Sequence, residues 1–129
     1  MSEAPLDAPD LRAWSLASGL GRVAIGLGLL AAPAPSLRAL GFTDVSPATV
    51  AVGRIAGVRD LVLGVTTLTA LDDRGRLRAS TFANAVSDAG DSLAFGAAVG
   101  TSERTAGWRG LTAALPAALA GAWAAWRLS

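Results

Sequence analysis

Histidine, cysteine, lysine and tyrosine are all missing from these 129 residues. Without cysteine there is no disulfide, no thiolate nucleophile and no sulfur ligand for a metal. Without histidine the usual base of a Ser-His-Asp or Cys-His centre is gone, and without lysine no Schiff base can form. No metal and no cofactor are therefore expected. Charge is also scarce: 16% of the residues are charged, against about 25% in an ordinary soluble domain. All 11 basic residues are arginine, and the net charge of +1 gives no field of one sign. Nucleic acid is accordingly not expected as a partner. What remains is apolar, 52% of the chain, and that balance points to lipid.

The apolar residues fall into segments of about 20 residues, long enough at 1.5 Å per residue to match a bilayer core of about 30 Å. The sequence predicts one membrane domain with spans at residues 11–32, 47–71, 79–99 and 108–128. Pro33 and Pro35 stop the first span, and Asp10 is its expected N-cap. Residues 33–46 form a connection whose Leu37, Leu40 and Phe42 suit a short interfacial turn of helix. Ser46-Pro47 reads as N-cap and first helical residue. Charged or polar turns follow at residues 72–76 and 100–107, and Pro116 lies inside the last span. The acidic N-terminal stretch does not read as a secretory leader, which would begin with positive charge. The fold expected is an all-α, four-helix transmembrane bundle of antiparallel up-down topology.

Two distributions bear on orientation. Trp14, Trp108, Trp123 and Trp126 lie at span ends, where an aromatic belt would sit. Arg12, Arg74, Arg76, Arg78 and Arg127 would share one side of the membrane, against Arg38, Arg104 and Arg109 on the other. The excess of arginine predicts an inner-membrane, multi-pass protein with both termini cytoplasmic.

The informative residues are the charges within the spans: Arg22, Arg54, Arg59, Asp60, Asp88 and Asp91. Each would cost about 2.5–3.5 kcal/mol at the centre of an inserted helix if it stood alone. They are therefore expected to be paired, hydrated or, for an aspartate, protonated, and their depths favour pairing. All except Arg54 come within about two helical turns of mid-depth. Asn84, Ser87, Asp88, Asp91 and Ser92 recur at helical spacing, a polar stripe on an otherwise apolar helix. Gly53, Gly57, Asp60 and Gly64 make a small-residue seam facing it. Ala24, Gly28 and Ala32 suggest a seam on the first span, and Gly110, Ala114, Ala118 and Ala122 one on the fourth. Such seams suit packing within the chain or in a homo-oligomer.

The stretch Gly57-Val58-Arg59-Asp60-Leu61-Val62-Leu63-Gly64, G-x-R-D-L-x-x-G, resembles the second-span signature of small bacterial four-helix membrane proteins of unknown function, distantly similar to DoxX-like proteins. The resemblance implies an integral membrane fold, marks Arg59 and Asp60 as signature residues and implies no activity. Three functions remain open. The first is a structural protein or membrane partner subunit, held in register by a charge-balanced network of Arg22, Arg54, Arg59, Asp60, Asn84, Asp88 and Asp91. The second is a binder of a small lipophilic or ionic ligand in a mid-membrane polar pocket. The third is a small isomerase or cyclase using aspartate acid/base chemistry. No residue is assigned as catalytic.

Overall fold

Helix-forming apolar and alanine-rich sequence, broken by proline pairs and charged turns, gives five α-helices and no strand among the described residues, 9–129, of the computed structural model. They are α1 (Pro9–Ala31), α2 (Pro33–Ala39), α3 (Pro47–Thr69), α4 (Arg74–Ala98) and α5 (Arg104–Arg127). The N-terminal stretch read as lacking a leader lies, up to residue 8, outside the described residues.

The four-helix transmembrane bundle expected from the sequence is corrected on two counts. Pro33 ends one helix but also opens another, α2, because a proline at the first helical position wastes no hydrogen bond and has its φ preset. The second correction concerns apolarity. Among the described residues, one stretch, Asp10–Ala31, is long and apolar enough to cross a membrane by itself. α3 carries Arg54, Arg59 and Asp60; α4 carries Arg74, Arg76, Arg78, Asp88 and Asp91; α5 is built largely of alanine. Boundaries shift as well. Asp10 lies in the first turn of α1, where its charge suits the positive end of the helix, and does not cap it. α4 begins at Arg74 because the Asp73 carboxylate accepts from the Arg76 N–H at 3.0 Å. The Ser46 cap of α3 is in place, its hydroxyl accepting from Thr49 N–H at 3.3 Å.

The helices associate as two close pairs, α1 along α3 and α4 along α5, with sparse backbone contact between the pairs. Within each pair glycine lets the backbones touch. A Cβ on Gly26 would stand 2.7 Å from the Gly57 carbonyl oxygen, and one on Gly64 2.7 Å from that of Gly19. A Cβ on Gly107 would stand 2.6 Å from Val99 N, and the Phe95 ring lies flat against Gly110. The buried face of α1 is Leu11, Ser15, Gly19, Arg22, Gly26 and Leu29; Ala24 and Ala32 of the expected seam are exposed. On α5 Gly110, Ala114 and Ala118 are buried as expected, while Ala122 is exposed.

Polar latches close both ends. At one, Arg12 donates to Asp72 at 2.7 Å and to the Leu71 carbonyl at 3.1 Å, Arg74 donates to the Leu128 carbonyl at 3.1 Å, and Ala70, Leu77 and Leu128 form a small apolar cluster. At the other, Gly41 turns the chain at φ 98°, in the left-handed region that favours glycine. This brings the α2–α3 connection onto the start of α5. There Glu103 accepts from Thr43 N–H at 2.8 Å, Thr43 hydroxyl at 2.7 Å and Asp44 N–H at 2.7 Å. Arg109 donates to the Ala39 carbonyl at 3.0 Å.

Two predictions follow from this packing. Gly64→Ala should destabilise the fold by about 1–3 kcal/mol through overpacking. Gly90→Ala, with nothing within 4 Å of the new methyl, should gain about 0.5–1 kcal/mol of helix propensity. Denaturant titration followed by circular dichroism reads both, and equal effects would refute the close α1–α3 contact. The donors on Glu103, led by Thr43 N–H, hold its carboxyl below the ordinary glutamate range. With the folded value depressed, the latch contributes fully above the ordinary glutamate value and is lost as pH falls through the depressed one. Thermal melts of Glu103→Gln and the parent chain should therefore differ at neutral pH and converge on acidification.

Candidate functional site

Between the two pairs, where backbones do not touch, side chains make the connection. Arg22 leaves the buried face of α1 between Gly19 and Gly26, and its guanidinium meets both α3 and α4. One nitrogen donates to Asp60 Oδ1 on α3 at 2.8 Å. The other donates to Asp88 Oδ1 on α4 at 2.5 Å and to the Asn84 carbonyl oxygen at 3.4 Å. The planar fork of arginine serves two carboxylates on different helices at once, which a lysine ammonium could not do with the same geometry. The side chains of Arg22 and Asp60 are each only 10% exposed.

A second bridge lies one step further out. Arg59 on α3 donates to both oxygens of Asp91 on α4, each at 2.8 Å, and reaches Asp60 Oδ1 at 3.4 Å. A two-pronged charge-assisted contact of this kind fixes orientation as well as distance. It is the more open bridge, with Arg59 38% exposed. Arg59 and Asp60, neighbours in sequence, thus face different partners, as the 100° step of a helix requires.

A third layer is uncharged. Thr67 on α3 accepts from the Asn84 side-chain amide at 2.9 Å, shares a 2.5 Å hydrogen bond with Ser80 of α4, and itself donates to the Leu63 carbonyl at 2.9 Å. Thr67 is one helical step beyond Gly53, Gly57, Asp60 and Gly64, and all five are buried. Extending that periodicity by three residues would have found it. Ser15 and Thr81 are fully buried too, with hydroxyls that have no hydrogen-bond partner among the described residues.

Of the seven residues expected in the network, the structure brings six together: Arg22, Arg59, Asp60, Asn84, Asp88 and Asp91. Arg54 is exposed on the opposite side of α3 and makes no ion pair among the described residues. Six residues before Asp60, it is rotated about 120° from it on the helix. The described residues hold no group of three or more acidic side chains arranged to bind a metal. A groove of about 610 Å³ opens between α4 and α5, lined by Arg78, Phe82 and Trp126 among others, and it shares no residue with the network. Comparison with protein-family models, curated proteins and solved structures finds no match.

Removing the hub tests the arrangement. Arg22→Met should cost about 3–5 kcal/mol, because it leaves buried carboxylates unpaired. Arg54→Met should change stability by less than about 0.5 kcal/mol. Both are read from denaturant midpoints, and a mild effect at Arg22 would show that the network does not join the pairs.

Proposed function

We propose that the chain is a membrane-integral structural protein or partner subunit, whose Arg/Asp network fastens two helix pairs together inside lipid. One observation carries the reading: burial is inverted. Among the described residues the four largest fully buried side chains are Asn84, Thr67, Thr81 and Ser15, all polar, while 17 large hydrophobic residues are exposed. Leu93 is 78% exposed and Ile55 70%. In water each exposed apolar surface forfeits about 25 cal/mol per Å²; in lipid it forfeits nothing. The inversion is what a bilayer selects, since tails outside are as apolar as leucine and helix association draws on small-residue packing and polar contacts.

α1 supplies the complementary support. Only 28% of its apolar window is buried within the protein, whereas the core helix of a water-soluble fold would be mostly covered. α1 is apolar enough to enter a membrane on its own. The charges of α3 and α4 meet partners within the protein, Asp60 and Asp88 on Arg22 and Asp91 on Arg59. In this reading the protein resides in the inner membrane as a multi-pass chain, and the end bearing Arg12, Arg74, Arg76, Arg78 and Arg127 faces the cytoplasm.

The geometry favours the structural role over chemistry. An acid/base enzyme would want a carboxyl with no arginine in reach. Asp60 and Asp88 each meet Arg22, and Asp91 meets Arg59. Extraction of membranes carrying the full chain at high pH tests the placement. The protein should stay in the pellet and leave only with detergent; recovery in the supernatant without detergent would overturn the reading.

A further inference from the structure

The charges within the cluster do not cancel once Arg54 is outside it. Arg22 and Arg59 supply two positive charges; Asp60, Asp88 and Asp91 supply three negative ones. The excess can be located. Arg59 grips both oxygens of Asp91, so that pair is closed. Arg22 alone remains to serve two carboxylates, meeting one oxygen of each. Asp60 has a further contact with Arg59 at 3.4 Å, which leaves Asp88 with the smallest share of positive charge. The side chains involved are 10%, 10% and 13% exposed, too little for water to carry a whole uncompensated charge at small cost.

No other charge is at hand. α1 has Arg22 alone at this level; on α3 Arg54 points away; α2 offers Arg38, which is exposed; α5 carries nothing charged between Arg109 and Arg127. The neutral groups nearby are Ser92, whose hydroxyl is engaged with the Asp88 carbonyl at 2.7 Å, and Ser87, whose buried hydroxyl has no partner. A multivalent metal does not fit, since these aspartates make no metal-binding group.

We infer that the cluster is a proton-binding site, in which Asp88 carries one proton taken from water. The step forms one O–H bond on a carboxylate and breaks no other bond, and it leaves two ion pairs and one neutral acid. The site goes beyond the membrane placement and does not depend on it, because the burial is within the protein itself.

Infrared spectroscopy of the purified full chain in detergent at neutral pH tests this. The parent chain should show the carbonyl stretch of a protonated carboxylic acid, shifted on exchange into heavy water. Asp88→Asn should abolish the band with the helical circular dichroism kept, and Asp72→Asn, in the exposed turn, should retain it. Absence of the band from the parent chain, or its survival at full strength in Asp88→Asn, would overturn the inference. Should Asp88→Asn not fold, ¹³C-labelling of aspartate in the parent chain decides: the band moves if an aspartic acid carries the proton, and an unmoved band overturns it. Neither outcome touches the extraction result, so failure of one reading is distinguishable from failure of the other.

Discussion

One guanidinium, that of Arg22, joins three helices. It is rooted in α1, meets Asp60 on α3 and Asp88 on α4, and also takes the Asn84 carbonyl. Its reach depends on its neighbours. Gly19 and Gly26, on the same face of α1, let that helix lie close against α3, and from there the Arg22 side chain meets α4 as well. Enlarging either glycine would separate the backbones and carry the guanidinium away from α4. The close pair and the long-range bridge are therefore one device, and the bridge to α4 exists only because the pair is tight.

Between the pairs there is no apolar core of the usual kind to do this work. The buried hydrophobic residues are chiefly alanine and five leucines spread along the helices, and the compact apolar cluster sits at one end, around Ala70, Leu77 and Leu128. The middle is held by ion pairs and by the Thr67–Ser80–Asn84 layer. A buried ion pair is a weak source of net stability against an apolar alternative, but a strong one of orientation, because breaking it strands a charge. That trade suits a fold whose outer surface is apolar. An apolar outer surface does not decide which way a helix faces about its axis, so something inside must.

Much of this interior was legible in the sequence. Charges spaced at helical intervals on apolar segments named Arg22, Arg59, Asp60, Asp88 and Asp91, and the polar stripe through Asn84 and Ser92 is buried or partly so. What periodicity could not give was rotation. Arg54 and Arg59 lie on the same helix at similar apolarity, and only the seam running through Asp60 says that one faces inward and the other does not. The seam on α1 was misplaced for the same reason: alanine and glycine are common on every face, whereas Leu11, Ser15, Arg22 and Leu29 mark the true one by mixing large, polar and charged types. Span counting failed differently. Length and composition admitted charged segments whose apolarity is insufficient in isolation, and α2, read only as a short turn of helix within a connection, was not counted, because proline ends one helix and begins the next by the same restriction of φ.

Register is where the several layers act together. Sliding α4 by one residue along α3 would move Asp91 about 1.5 Å along the axis and rotate it about 100°. Both prongs of the Arg59 contact would be lost, and Asp88 would leave Arg22 at the same moment. The same slip would withdraw Asn84 and Ser80 from Thr67, while Glu103, just beyond the end of α4, would be drawn from Thr43. The exposed apolar surface is indifferent to such a shift, since alanine and valine repeat all along the outer faces. The polar contacts are not indifferent, and they fail together. A single arrangement is thereby favoured by contacts each of which is modest, because a slip of one residue breaks them together.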